Sequence, residues 1–218
     1  VSDLGNSIVR ELTLLKTLFS LAAVFSVLTD CYAASACNKP SDEILTSIVR
    51  VLNNDGSQAS GVVISRDFVL TAAHVVEGAG PFFVKFDRRI EQAVLHSVDL
   101  ANDLAVLSVL THGLTPIPLS IGGLHPNEPV WALGYPLGGD LEMSRGYVED
   151  FYQGAVQTSA EIDSGHSGGG LLSCEADRHV LAGMLRGYGA YQRDGNLVKV
   201  DNFSISVPSH TIKSFVWN

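Results

Sequence analysis

Basic residues are scarce in this sequence. Its 218 residues include 14 Lys and Arg against 23 Asp and Glu, a formal charge of −9 at a pI near 5.1. Those few cations are spread thinly and nowhere form a stripe. Sequence-independent binding to nucleic acid draws its affinity from clustered Lys and Arg, so nucleic acid is excluded as an expected partner. Cysteine is nearly absent too, at three residues, which rules out a disulfide-dense scaffold. Internal repeats and low-complexity tracts are missing. Helical periodicity is confined to the N-terminal region and to Ser209–Trp217. No apolar run reaches the roughly 20 residues of a membrane span.

The longest run, from Leu18 to Leu28, follows Arg10 and Lys16 and precedes the small residues Ala33-Ala34-Ser35-Ala36. That order is the one of a secretory signal peptide, with cleavage expected after Ala36. An uncleaved anchor over residues 1–36 is the alternative, and only then is a membrane a partner. Secretion or export to a periplasm follows from the first reading. Cleavage leaves two cysteines, Cys37 and Cys174. In an oxidising compartment they can pair, and two free buried thiols are the other possibility.

The composition is that of a folded, turn-rich chain, with 46% hydrophobic residues, 21 Gly and 8 Pro. From Ile44 onward, short runs rich in β-branched and aromatic residues alternate with turn signals such as Asn53-Asn54-Asp55-Gly56. Ile44–Leu52 is expected to be the first strand. Pro116, Pro118, Gly122, Gly123, Pro126 and Pro129 then crowd into one stretch, after which strand-like runs resume. These features predict an all-β protein of two barrels, one over 37–118 and one over 130–218, joined by a linker at 119–129 and ended by a short helix.

The most suggestive string is Asp163-Ser164-Gly165-His166-Ser167-Gly168-Gly169-Gly170. Glycines around a serine permit tight or left-handed backbone and let N–H groups converge on one point, as an oxyanion site requires. The string fits two templates, the G-x-S-x-G elbow of α/β-hydrolases and the G-x-S-G-G turn of chymotrypsin-like proteases. An elbow needs a helix directly after the serine, yet Gly168-Gly169-Gly170 starts one poorly. A hydrolase would also have to find its base and acid in the last 51 residues, His210 with Asp177, Asp194 or Asp201. Upstream, by contrast, His74 sits in Thr71-Ala72-Ala73-His74, and Asp103 opens Asp103-Leu104-Ala105-Val106-Leu107. A carboxylate at the mouth of an apolar strand needs a donor, and a His ring N–H supplies one.

Together T-A-A-H, D-L-A-V-L and G-x-S-G-G resemble the chymotrypsin-type (trypsin-like) serine protease superfamily, and more closely its HtrA-type bacterial branch. The spacing of 29 residues from His74 to Asp103 and 64 more to Ser167, and Gly134-Tyr135-Pro136-Leu137-Gly138, extend the likeness over residues 44–215. The resemblance implies two six-stranded antiparallel barrels and a serine endopeptidase acting on proteins or peptides. His74, Asp103 and Ser167 would form the triad, and backbone N–H groups of Gly165 and Ser167 the oxyanion hole. No metal or organic cofactor is required. Glu161 or Ile162 would reach the pocket for the residue before the cut, with Ile162 preferred, and Leu185 and Tyr188 would form the opposite wall. HtrA-type chains carry Asn and Pro where this one has His166 and Gly170; His166 is expected to point outward. His166 cannot act as the anion that pairs with a newly cut trypsin-type N-terminus, so such activation is not expected. Neither is a PDZ domain, since the sequence given runs about ten residues past the second barrel. A pseudoprotease that keeps the fold for binding is the remaining alternative.

Overall fold

A computed structural model of the chain describes residues 37–78 and 80–217. The expected leader over 1–36 lies outside the described residues. Six antiparallel strands close the first barrel: β1 (Ile48–Asn53), β2 (Gln58–Val63), β3 (Phe68–Thr71), β4 (Phe82–Phe86), β5 (Arg89–Asp99) and β6 (Leu104–Ser108). Their order around the barrel is β1-β2-β3-β6-β5-β4. Six more close the second: β7 (Pro129–Gly134), β8 (Glu142–Tyr152), β9 (Ala155–Thr158), β10 (Gly170–Glu175), β11 (Arg178–Arg193) and β12 (Asn196–Pro208), ordered β10-β11-β12-β9-β8-β7. The all-β, double-barrel expectation therefore holds, and closure leaves neither sheet with a long free edge. A doubly wound hydrolase sheet is excluded.

Side-chain alternation explains the closure. In β4, Phe82, Val84 and Phe86 are buried while Phe83 and Lys85 are half-exposed, the period of two that puts every second residue inside. Val130, Ala132, Val148, Val156, Ile162, Leu171 and Leu185 fill the second barrel. The first barrel's core is not self-contained. It continues through Leu133, Leu172, Leu181, Met184 and Val207, on the outer side of the second barrel, and through Ile212. Apolar packing across this seam fixes the two barrels against each other, and the seam is where the chemically suggestive residues meet.

Ile212 belongs to the C-terminal helix α2 (Ser209–Val216), which lies where helical periodicity predicts one. A second helix, α1 (Asp42–Thr46), corrects the expected start of the first strand: Ile44 and Leu45 are helical and β1 begins only at Ile48. Asp42 and Glu43 in its first turn complement the positive end of the helix dipole, a local signal that the apolar content of the run masks. Ahead of α1, Cys37 forms a disulfide with Cys174 on β10, with Cα atoms 5.5 Å apart, inside the usual range. The free-thiol alternative falls. Between β6 and β7 the Pro- and Gly-rich stretch forms no strand, but it is tied to β11 on both sides of Leu119. Leu181 N–H donates to Pro118 O at 2.8 Å, and Ser120 N–H donates to Leu181 O at 2.9 Å. Among the described residues no helix is long and apolar enough to cross a membrane.

Candidate active site

His74 lies in a 3-10 turn (Ala73–Val76) directly after β3. The small, buried Ala72 and Ala73 let this turn press against the loop that carries Asp103. Two backbone-directed bonds lock that approach: Ala73 N–H donates to Asp103 O at 3.1 Å, and His74 N–H donates to Asp103 Oδ1 at 3.0 Å. The His74 ring Nδ1–H then meets the same carboxylate, 2.9 Å from Oδ2 and 3.0 Å from Oδ1. Asp103 is only 6% exposed and adopts φ +58°, a left-handed geometry that Asp tolerates better than most side chains. Burial alone would raise its carboxyl. Hydrogen bonds from the His74 ring and backbone, with the charges of His74 and Arg186, outweigh burial and hold it below the ordinary range. The bond to Asp103 raises His74 above the usual histidine value, against the opposing effect of burial. An imidazolium is thus stabilised where a base would need to collect a proton.

Ser167 arrives from the other barrel, on the turn before β10. Its carbonyl accepts Ser60 N–H of β2 at 2.9 Å, which joins the two barrels at this point. The Ser60 hydroxyl completes the joint, donating to Gly165 O at 2.7 Å and accepting Tyr135 N–H at 2.8 Å. The Ser167 hydroxyl donates to Arg186 O at 3.3 Å. Within the turn, Ser164 N–H is taken by Asp163 Oδ1, His166 N–H by Asp163 O, Gly168 N–H by Leu185 O and Gly169 N–H by His166 O. Among the described residues, the N–H groups of Gly165 and Ser167 have no hydrogen-bond partner. Ser164 O accepts Leu137 N–H at 2.7 Å. In a planar trans peptide the N–H points opposite to the carbonyl, so Gly165 N–H is turned away from Leu137.

Leu137 is held in turn. Arg50 of β1 donates from Nη1 to Gly138 O at 2.8 Å and from Nη2 to Gly139 O, and its guanidinium lies 4.6 Å from the Tyr135 ring centre. The Gly134-Tyr135-Pro136-Leu137-Gly138 string noted for its resemblance is therefore the support of the serine turn.

His166 does not point outward. It is 2% exposed and packs against Gly134, where an added Cβ would come within 2.9 Å of its ring. Its Nδ1 accepts Asp163 N–H at 3.0 Å, which requires a neutral ring, and burial lowers its pKa accordingly. The residue closes the turn from inside, with Nδ1 as its cap. Gly170 opens β10 and pairs with Leu133 and Met184.

His74, Ser167, Gly165, Ser164, Gly187 and Tyr188 share one open cleft of about 290 Å³ at the seam. A larger groove, about 730 Å³, runs along the first barrel past Leu45, Phe86 and His112, but none of His74, Asp103 and Ser167 lines it. Of the residues expected to contact substrate, Tyr188 lines the cleft, its hydroxyl 3.1 Å from Ser164 Oγ. Ile162 and Leu185 lie in the core of the second barrel, and Glu161 is exposed, its carbonyl accepting Ser144 Oγ at 2.6 Å. Asp163 is paired with Lys199 at 3.1 Å beside Tyr188. His210 sits exposed on α2, outside the cleft. Sequence reasoning passed over Ser60 and Arg186. Arg186 is signalled only as the charged residue that ends the apolar run Leu181–Leu185.

The family model described as the trypsin-like peptidase domain matches residues 59–182. A probable periplasmic serine endoprotease, DegP-like, of Marinomonas sp. is 32% identical over 73% of this chain and 35% of its own length. The serine endoprotease DegS of Haemophilus influenzae is 33% identical over 56% of this chain and 39% of its own. The chain thus spans little more than a third of the length of these curated relatives. A serine endoprotease crystal structure from Yersinia pestis shares the fold, with a TM-score of 0.68 over 81% of this chain and 66% of that one at 24% identity.

Proposed function

Because the chain belongs to the trypsin-like peptidase domain family, on its HtrA-like side, we propose that it is a serine endopeptidase exported to an oxidising compartment. The observation that carries this reading is the two-point hold of Asp103 on the His74 ring, at 2.9 and 3.0 Å, beside Ser167 in a single cleft. The Cys37–Cys174 disulfide supports the compartment, since such bonds persist outside reducing cytosol.

In the proposed reaction the Ser167 hydroxyl leaves the Arg186 carbonyl and rotates toward His74 Nε2, which takes its proton as Oγ attacks the scissile carbonyl. Asp103 fixes the tautomer with Nε2 free and stabilises the imidazolium. The unpartnered N–H groups of Gly165 and Ser167 hold the oxyanion, each worth about 3–4 kcal/mol in sites of this kind. His74 then protonates the leaving amine; water, deprotonated by the same ring, attacks the acyl carbon, the bond to Ser167 Oγ breaks, and the ring returns the proton to Oγ.

Incubating the full chain with an unfolded, casein-like protein at pH 8 is expected to yield internal fragments, each with one new amino terminus detectable by mass spectrometry. The rate should be unchanged by a metal chelator, because the triad itself supplies nucleophile and base. Release of terminal residues only, or no cleavage at all, would count against an endopeptidase.

A further inference from the structure

Asp103 holds a second cation besides His74. Arg186, on β11, places Nε 3.3 Å from Asp103 Oδ2, the oxygen that accepts the His74 ring at 2.9 Å. The other oxygen, Oδ1, receives both the ring and the backbone N–H of His74. The carboxylate is nearly buried, at 9% side-chain exposure, whereas the Arg186 side chain is half-exposed at 48%. The same residue touches the nucleophile through its backbone, since Arg186 O accepts the Ser167 hydroxyl at 3.3 Å. One residue of β11 therefore contacts two of the three triad members by independent groups.

We propose that Arg186 is a positioning residue that shares Asp103 with His74 and thereby sets the pH range over which His74 can serve as a base. The proposal rests on the endopeptidase reading. Its physics follows from the shared oxygen. Charge that Asp103 directs to a permanent guanidinium is not fully available to an imidazolium on the same atom, and the two cations repel each other. The charged groups that act on the His74 ring are Asp103 on the turn before β6, Glu77 just after the ring's own turn, and Arg186 from β11. The two carboxylates favour the protonated ring and Arg186 alone opposes it. Removing Arg186 therefore leaves His74 easier to protonate, and the acid limb of kcat/KM moves to higher pH. Because the guanidinium is half-exposed, solvent screens part of this effect, and the expected shift is about half a pH unit or somewhat more. An enzyme so built keeps its base free in more acidic surroundings than a neutral residue at position 186 would allow.

The test is the titration of His74 followed by NMR in the full chain, for the wild type, Arg186→Met, Arg186→Gln and Arg186→Lys, beside the pH profile of peptide cleavage. Both neutral variants should titrate His74 about half a unit higher and lose roughly threefold in kcat/KM at the foot of the acid limb. The alkaline plateau should move far less. Arg186→Lys restores the charge and should titrate close to the wild type. Two neutral replacements of different shape guard against one that fails to fold. A His74 titration unmoved in a folded neutral variant would overturn the proposal, as would a Lys variant that titrates like Met. NMR reads the ring whether or not peptide bonds are cut, so a wild type without hydrolysis defeats the endopeptidase reading separately.

Discussion

Replacing Ser167 with Ala is expected to lower kcat by roughly 10⁵- to 10⁶-fold with KM changed only a few-fold. His74→Ala should cost about as much, and the double variant little more than either alone. Such non-additivity distinguishes a unit that works together from two separate contributions. It follows from the geometry: the other carboxylate lining the cleft, Asp163, is paired with Lys199, which leaves the His74 ring as the base for Ser167, and the raised proton affinity of His74 depends on its bond to Asp103. Asp103→Asn should fall about 10⁴-fold, because an amide can present its NH₂ to the ring and hold the wrong tautomer. Steady-state kinetics on one peptide substrate, with circular dichroism to confirm folding, measures all four. Activity surviving in His74→Ala would point to another base.

Gly168→Ala should be among the most damaging glycine-to-alanine changes for stability. Its φ is +83°, and an added Cβ would overlap Ser60 O and Thr71 Oγ1 and lie 3.0 Å from Ala72 N. These are backbone or buried atoms of the opposite barrel: Thr71 Oγ1 donates to Ser60 O at 2.8 Å, and Ala72 leads into the His74 turn. Nothing there gives way cheaply. Backbone strain and overpacking together cost about 3 kcal/mol or more, and the displaced seam carries both Ser167 and His74, so activity is lost with stability. Gly195→Ala is the control. Its φ of +80° is similar, but open space surrounds it, and a cost of about 1 kcal/mol without loss of activity is expected. Urea midpoints of the two variants separate conformational strain from collision at the seam.

The fold was readable because strand-like runs and turn signals report local choices that the barrels then satisfy. The candidate residues of the site could be picked out for a related reason. His74 follows the apolar strand β3 and Asp103 precedes the apolar strand β6, where a polar side chain stands out against its neighbours, whereas Ser167 is marked by the glycines around it. What the sequence concealed is direction. Counting back from Ser167 picks out Glu161 and Ile162, but in an irregular loop no period says which way each side chain faces, and neither lines the cleft. His166 looks like a surface residue because imidazole is polar, yet it is buried as a ring whose Nδ1 accepts the N–H of Asp163. Ser60 is a small residue in an apolar strand and carries no mark of its role across the seam. α1 was hidden for the opposite reason, its acidic first turn outvoted by the apolar residues that follow.

The central claim is that Ser167 is a nucleophile activated by His74. The most direct measurement is to treat the folded full chain with a fluorophosphonate and locate the adduct by peptide mapping, in the wild type and in His74→Ala. One phosphonyl group is expected on Ser167 of the wild type and none on the variant in the same time. An adduct elsewhere with Ser167 unmodified, or equal labelling without His74, would contradict it.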